Sequence, residues 1–248
     1  MQLTKMMDKA VYNMHTIIMI CLVTVAIIIC LIETADAKAQ TLEWTDTFKT
    51  QRCSTWTPTG SNVYWNLIPG HQANFAGVEN GGDHLKVSVI VTNQVKLMPD
   101  GIPARVVNDT VVDAQSGYLK EIAVDYFAIC KDTNSVFYFG EKTAGYENGK
   151  VANTTGTWQH GVDGAHAGVV MPGLNLLGAQ YYQEFAPKVA LDQGQTVSVT
   201  DNSNPKLCHN YCLKVKETTP FEPGVVEYKI YAPNVGLVYD NGLTLATK

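Results

Sequence analysis

The residues best suited to chemistry are concentrated in one stretch of the chain, 158–187, where His, Asp, Glu and aromatic side chains are interrupted by frequent Gly and Pro. Within it, the carboxyl of Glu184 is flanked by aromatic residues, namely Tyr181, Tyr182 and Phe185. A carboxyl beside aromatic rings can have a raised pKa and act as a general acid or base. Such a mechanism needs a second group, and Asp163 and Glu227 are the candidates. Because hydrolysis by paired carboxyls depends on a separation that no sequence gives, we assign no catalytic residue.

The same stretch is also suited to binding a ligand without reaction. Trp158, Tyr182 and Glu184 combine aromatic surface with one carboxyl, and a concave sheet that carried them would form a binding face. With Asp163, these are the candidate ligand-binding residues. Other rings suited to a groove are Trp65 and Tyr181, although core packing is the commoner role of such residues.

A metal site is the third interpretation of this stretch. His160, Asp163 and His166 are spaced three residues apart, which on a helix would place them on one face. A helix is disfavoured here because each interior Gly costs about 1 kcal/mol, and three are present: Gly161, Gly164 and Gly168. An Asp followed by Gly is typical of a turn. The pattern therefore favours a turn over a metal triad or another ligand contact, and we predict neither a metal nor a cofactor.

Four cysteines follow the N-terminal segment: Cys53, Cys130, Cys208 and Cys212. An even number in an exported chain favours disulfides, with three possible pairings. In one of them Cys208 and Cys212 close a small loop, and Cys53 joins the N-terminal segment to a strand at Cys130. Zinc binding by Cys208, His209 and Cys212 is the alternative, but zinc sites usually have four regularly spaced ligands. Free thiols are the remaining alternative.

The N-terminus has the pattern of an export signal. Lys5 and Lys9 precede an apolar run at 17–32, and the small-x-small pattern at 35–37 follows. This order is typical of a secretory signal peptide at 1–37. An uncleaved anchor through residues 16–32 is the alternative, although the run is rather short for a membrane span. We therefore predict a secreted or otherwise extracytoplasmic protein. Two acceptor triplets for N-glycosylation begin at Asn108 and Asn153.

Composition limits the function classes. Hydrophobic residues make up 46% of the chain and charged residues 17%, which is typical of a folded protein rather than a disordered one. The net charge is −5, and basic residues form no run interleaved with aromatics, so a nucleic-acid partner is excluded. No Gly-x-Ser-x-Gly motif and no Gly-rich phosphate loop ending in Lys-Ser or Lys-Thr is present.

Apolar residues alternate along several segments, which is the period of a β-strand. The clearest pair is a hairpin formed by 118–130 and 136–140 around a polar turn. Further strands are predicted at 84–96, 102–112, 190–200, 212–218, 225–232 and 235–245. We predict an all-β, antiparallel fold, either a curved sandwich or an open or flattened barrel, preceded by an N-terminal signal or anchor helix. The predicted divisions are the signal segment 1–37, an irregular lead-in at 38–62 and a single β domain at 63–248.

Short blocks of sequence from about residue 64 to residue 240 carry a family resemblance. They include 67–70 (LIPG), 146–151 (YENGKV), 169–172 (VVMP), 182–187 (YQEFAP), 219–229 (TPFEPGVVEYK) and 231–238 (YAPNVGLV). In this order the blocks resemble a family of exported bacterial and archaeal β-rich proteins that has no known activity. The resemblance implies a secreted or envelope-attached β-rich domain and no catalytic role. Residues before Tyr64, with Cys53, lie outside it, and 202–212 departs from its pattern, so the cysteines fit a stabilising role.

Together these patterns predict a non-enzymatic binding or assembly module at the cell envelope. Its partner would be a small ligand or an envelope protein, and it would touch a membrane only through the N-terminal segment. Two alternatives remain. One is a secreted hydrolase that uses Glu184 and Asp163. The other is a structural surface protein whose sheet edges pair with neighbours.

Overall fold

The computed structural model describes Trp44, residues 50–79 and residues 81–246. These residues belong to one compact unit that begins at Trp44. The predicted signal peptide at 1–37 and the alternative anchor at 16–32 lie outside the described residues. Within the described residues, no helix combines the length and the apolarity that crossing a membrane requires.

The described residues form eighteen strands and little helix. The first nine are β1 Trp56–Thr57, β2 Ser61–Asn62, β3 Trp65–Asn66, β4 Gln72–Val78, β5 His84–Leu97, β6 Pro103–Asp113, β7 Leu119–Cys130, β8 Ser135–Glu147 and β9 Lys150–Asn153. The others are β10 Trp158–Gln159, β11 His166–Met171, β12 Gln180–Tyr182, β13 Glu184–Phe185, β14 Gln193–Asp201, β15 Cys212–Thr218, β16 Glu227–Ala232, β17 Gly236–Asp240 and β18 Leu243–Leu245. A 3-10 turn at Thr50–Arg52 and a four-residue α-helix at Pro205–Cys208 complete the described elements.

The strands form one antiparallel sheet in the order β12-β14-β15-β16-β17-β18-β4-β5-β6-β7-β8-β11-β13. Three further strands pair with strands of this order: β1 with β7, and both β9 and β10 with β8. β2 and β3 form a separate two-stranded sheet. The two end strands of the path, β12 and β13, are separated in sequence by Gln183 only. The segment 180–185, called the closure segment below, therefore pairs with β14 through its first half and with β11 through its second half. The prediction of an all-β antiparallel fold is confirmed, and its form is a nearly closed, barrel-like sheet.

Both faces of the sheet are buried over part of its area. Phe127 and Ile129 on β7 point into the inner apolar cluster, which also holds Val91 and Leu213. The alternate residues of β7 form an outer cluster with Trp56 and Cys53 of the N-terminal segment. The pairing of Trp56 with Cys130 shows how the predicted lead-in covers the outside of the sheet. When both faces of a strand are buried, the side chains that point to either face are apolar.

A short hairpin, β2–β3 at 61–66, closes one end of the sheet and is called the capping hairpin below. The Asn62 side-chain amide donates to the backbone oxygens of Asn134 at 2.7 Å and Pro172 at 3.1 Å. The backbone N–H of Asn234 donates to the oxygen of Val63 at 2.7 Å. These partners lie in connections after β7, β11 and β16, which all reach the same end.

Several segments differ from the prediction, and among them β9 and β11 form where no strand was predicted. The predicted strand 235–245 is two strands, β17 and β18, because the chain reverses at Asn241 and Gly242, whose φ values are 43° and 104°. β8 continues to Glu147 through a charged segment that alternation did not assign to a strand. β4 was also not predicted, since its sequence QANFAGV carries little strand propensity.

Candidate functional site

A cavity of about 670 Å³ occupies the interior of the barrel-like sheet. Its volume lies within the range of small-molecule sites, roughly 300–1,000 Å³. Part of its wall is apolar and aromatic, formed by Trp65, Phe75, Val89, Val91, Phe127 and Leu237. The rings of Trp65, on the capping hairpin, and Phe127 lie 5.3 Å apart. The hairpin thus brings an aromatic side chain to the strand wall at the capped end.

Six carboxyl side chains line the same cavity and are called the acidic belt below: Asp109, Asp125, Glu184, Asp192, Glu217 and Asp240. Strand alternation explains their inward direction. On β7, Asp125 lies two residues before Phe127 and therefore on the same face of the sheet. On β15, Glu217 has the same relationship to Val215, a member of the inner cluster. Among the described residues that line the cavity, Lys229 is the one lysine or arginine.

Asp125 is hydrogen-bonded to a tyrosine within the cavity wall. The hydroxyl of Tyr138 donates to Oδ1 of Asp125 at 2.8 Å, and the Tyr138 ring stacks on Phe127 at 4.6 Å. Burial raises the pKa of Asp125 to about 7, although the Tyr138 hydrogen bond opposes the shift. Asp125 can therefore exchange its proton near neutral pH.

Asp109 is a diagonal neighbour of Asp125 on the adjacent strand, since Val107 pairs with Asp125 and Asp109 pairs with Ala123. Burial, followed by the charge of Glu121, raises the pKa of Asp109 to about 7. Its Oδ1 atom is buried and has no hydrogen-bond partner among the described residues. This oxygen is an unused acceptor in a polar part of the cavity wall.

Glu184 lies at the second half of the closure segment and contacts a buried tryptophan. The indole Nε1 of Trp158 donates to Oε2 of Glu184 at 2.7 Å, and Trp158 is 5% exposed. Burial, with the charges of Asp192 and Glu141, holds the pKa of Glu184 well above its usual range, while the indole hydrogen bond opposes the shift. A carboxyl in this state keeps its proton more readily than a solvated one and can donate a hydrogen bond.

Lys229 is paired with one side of the acidic belt. Its Nζ lies 2.8 Å from Oε2 of Glu217 and 4.0 Å from Oδ2 of Asp240. The Gln183 amide donates to the other oxygen of Glu217 at 2.7 Å. Burial alone would lower the pKa of Lys229, but the charges of Asp240 and Glu217 outweigh it and hold the pKa well above its usual range. Lys229 is therefore a permanent cation that already has its counter-charges.

A second cavity of about 330 Å³ shares Glu184, Asp192 and Glu217 with the first. It is also lined by apolar residues of the connection after β15, namely Phe221 and Val225. Because β15 starts at the capped end, this connection lies at the opposite end of the sheet. The acidic belt therefore separates the aromatic interior from the uncapped end. Glu141 lines the second cavity, and burial followed by the charge of Asp125 raises its pKa to about 8.

The structure brings together two of the four candidate ligand-binding residues, Trp158 and Glu184. Tyr182 packs edge-on against Phe185 at 5.2 Å and lines neither of the two cavities. Asp163 lies on an exposed turn with φ of 50° and borders a third cavity, which Trp158 also lines. The carboxyls whose charges act on Glu184 are Asp192, Glu141 and Asp125 rather than Asp163.

The histidines of the 158–187 stretch have separate environments. Nδ1 of His160 accepts from the backbone N–H of Ala167 at 3.0 Å, and Nε2 lies 3.0 Å from Oδ2 of Asp100. Because Nδ1 is the acceptor, Nε2 carries the proton and donates to Asp100. The ring of His166 stacks on Phe185 at 4.1 Å. Both nitrogens of His160 are thus engaged within the protein.

The cysteines form two disulfides, as predicted. Cys53 pairs with Cys130 at a Cα–Cα distance of 5.8 Å, and Cys208 pairs with Cys212 at 4.7 Å. The alternatives of zinc ligands and free thiols are therefore wrong. The single group of metal-ligand side chains in the described part of the chain consists of Cys53, Cys130 and Asp132. Its sulfurs are consumed by the disulfide.

Sequence analysis missed most of the acidic belt, and a weak signal for it existed. Several charged residues lie two positions from an inner-cluster residue on the same strand and therefore on the buried face of that strand. They are Asp125, Glu217 and Lys229. A charged residue in a buried phase indicates either a strand end or a polar interior. A polar interior can be distinguished from a strand end only when several such strands are known to surround the same cavity.

Comparison of the chain with protein-family models, with curated proteins and with solved structures found no match. The resemblance to exported β-rich proteins stays a prediction.

Proposed function

We propose that this chain is a non-enzymatic binding protein that holds a small organic molecule inside its barrel-like sheet. The observation that carries the proposal is the cavity of about 670 Å³ with an aromatic wall on one side and the acidic belt on the other. Ligand sites are typically concave and mostly apolar, with a few polar groups that fix orientation. The apolar wall would supply affinity, and the belt would supply orientation.

We propose further that binding takes place outside the cytoplasm. The two disulfides are consistent with an extracytoplasmic location, because such bonds persist in oxidising compartments. The signal pattern at 1–37 supports the same location. Attachment to the cell envelope would follow if the apolar run at 16–32 stays uncleaved as an anchor.

The test is mass spectrometry of the protein purified from its own host, first under native and then under denaturing conditions. We expect a small organic molecule that stays bound in the native spectrum and leaves on denaturation. Ala73→Phe fills the cavity from β4, since Ala73 lines it. This variant should fold and lose the bound molecule.

The matched control is Ala76→Phe, which adds the same ring on the exposed face of the same strand. It should keep the bound molecule at the level of the unmodified protein. Equal retention by both variants would exclude the cavity as the binding site. A protein that carries no small molecule and gives none up would argue against a binding function of this kind.

Acid–base catalysis in the same cavity is a second candidate. It is favoured by two partly buried carboxyls with different hydrogen-bond donors, Asp125 with Tyr138 and Glu184 with Trp158. A screen against glycoside and ester substrates, with Glu184→Gln as control, separates catalysis from binding. Turnover that disappears in the Gln variant would support an enzyme, and turnover that persists would remove Glu184 from the mechanism.

A further inference from the structure

The charges in the cavity are unbalanced. Lys229 is engaged by Glu217 and Asp240. None of the ion pairs in the described part of the chain includes Asp109, Asp125 or Glu184. These three carboxyls therefore face the cavity without a described lysine or arginine in direct ion-pair contact.

We propose that the ligand is a small organic amine whose ammonium group lies at Asp109 and Asp125 and whose apolar body lies against Trp65 and Phe127. This inference rests on the proposed binding function and names the class of its ligand. The unpartnered, buried Oδ1 of Asp109 is the observation that points to a hydrogen-bond donor in the cavity. An ammonium carries three donors and no acceptor, so it matches a wall of carboxyl oxygens.

The arrangement of the two carboxyls suits one ammonium group. As diagonal neighbours on β6 and β7, Asp109 and Asp125 face the same interior, about 7–8 Å apart at Cα. A cation between them would be within charge-assisted hydrogen-bond reach of both carboxyls. Asp125 also lies two residues from Phe127, which brings the charged end of the ligand next to an aromatic ring. The face of such a ring attracts a cation.

The same charges act against the opposite ligand class. The cation with which a fatty acid or another carboxylate would pair in this cavity is Lys229, which is already engaged. Lys229 would have to leave Glu217, whose second oxygen is already held by Gln183. Breaking a buried ion pair is unfavourable because it leaves one charge uncompensated, so anion binding by this route is disfavoured.

The test uses three probes with the same indole ring and nearly the same length: tryptamine, which is a cation, tryptophol, which is neutral, and indole-3-propionate, which is an anion. Isothermal titration calorimetry at pH 7.5 should give an affinity for tryptamine at least tenfold above that for tryptophol. The propionate should not bind measurably. The affinity for tryptamine should increase between pH 5.5 and pH 7.5, because Asp109 and Asp125 must lose their protons to hold a cation.

Asp109→Asn and Asp125→Asn should each weaken tryptamine binding at least tenfold and leave tryptophol binding unchanged. Two variants are used so that a folding defect in one does not decide the result. Asp83→Asn, on an exposed turn between β4 and β5, is the matched control and should bind like the unmodified protein. Equal affinities for tryptamine and tryptophol would overturn the amine inference and leave the cavity as a binding site. Absence of binding by all three probes would also overturn the amine inference, whereas the proposed binding function is decided by the native mass spectrum.

Discussion

The indole nitrogen of Trp158 lies 2.7 Å from Oε2 of Glu184, so a tryptophan at the edge of the sheet and a carboxyl of the acidic belt form one hydrogen-bonded pair. Trp158 on β10 pairs with Glu141 on β8, whereas Glu184 on β13 pairs with Ala167 on β11. The side-chain contact thus joins two short strands whose sheet partners differ. This one hydrogen bond therefore holds both the closure segment and the Glu184 carboxyl of the acidic belt against β10.

Trp158→Phe removes the donor and keeps an aromatic ring near Tyr138, whose centroid lies 5.5 Å from that of Trp158. We expect the free energy of unfolding to fall by about 1–3 kcal/mol, because a buried carboxyl loses its hydrogen bond. The pKa of Glu184 should rise further, since the indole hydrogen bond lowers it. Urea denaturation measures the first effect.

Glu184→Ala completes a double-mutant cycle with this variant, because it removes the acceptor of the indole hydrogen bond. If the hydrogen bond contributes to stability, the loss of unfolding free energy in the double variant should differ from the sum of the two single losses by at least about 0.5 kcal/mol. Additive losses would show that the two side chains are neighbours without coupling.

Stability should decrease as the pH rises. Burial raises the pKa of Asp109 and Asp125 to about 7 and that of Glu141 to about 8. Between pH 4 and pH 8 the folded protein therefore binds more protons than the unfolded chain, and the free energy of unfolding falls with pH. We expect a loss of at least about 2 kcal/mol between pH 5 and pH 8, since each unit of pKa difference corresponds to about 1.4 kcal/mol.

Urea denaturation at pH 5, 6.5 and 8 measures this dependence. Asp125→Asn removes one titrating group and should flatten the curve. The exposed control Asp83→Asn should leave its slope unchanged. A stability that is constant or increases over this range would show that the belt carboxyls are solvated in the folded protein.

The sequence predicts the strands that alternate strongly, such as β5 and β7, because their apolar residues recur with period two. It also predicts disulfides, because an even number of cysteines in an exported chain favours them. It does not predict the closure of the sheet. Closure depends on β4, which has weak strand propensity, and on the pairing of one segment, 180–185, with β14 and β11. Such long-range pairings leave no local pattern.

The candidate site was predicted in part for a related reason. Glu184 and Trp158 stand out because aromatic and acidic residues cluster around them in sequence. Asp125 and Lys229 do not stand out, since each is a single charged residue within an otherwise ordinary strand. Asp163 stands out in sequence but lies on an exposed turn, because Gly164 and its left-handed φ favour a chain reversal there.

The two disulfides should differ in their contribution to stability. The bond between Cys53 and Cys130 closes a loop with a sequence separation of 77, and that between Cys208 and Cys212 one of 4. Chain entropy predicts a loss of about 4.5 kcal/mol for the long loop and about 2 kcal/mol for the short one. The double variants Cys53→Ser/Cys130→Ser and Cys208→Ser/Cys212→Ser test this by thermal denaturation. Equal losses would indicate that native packing, rather than loop length, sets the contribution.

Gly168 allows the closure segment to lie close to β11. A β-carbon at this position would collide with the backbone carbonyl of Gln183, which lies between β12 and β13. Gly168→Ala must therefore displace the closure segment, and we expect a loss of about 2–3 kcal/mol in unfolding free energy. Faster amide hydrogen exchange at 180–185 should accompany it, together with weaker retention of a bound molecule.

Gly164→Ala is the matched control. Gly164 also lies in this stretch, at φ of 79°, but a β-carbon there meets nothing within 4 Å. Its cost of roughly 1–2 kcal/mol comes from backbone strain alone, and exchange at 180–185 should stay unchanged. If both variants left exchange in the closure segment unaffected, close packing at Gly168 would not be what holds the two ends of the sheet together. The backbone pairing of the segment with β14 and β11 would then be sufficient to hold it.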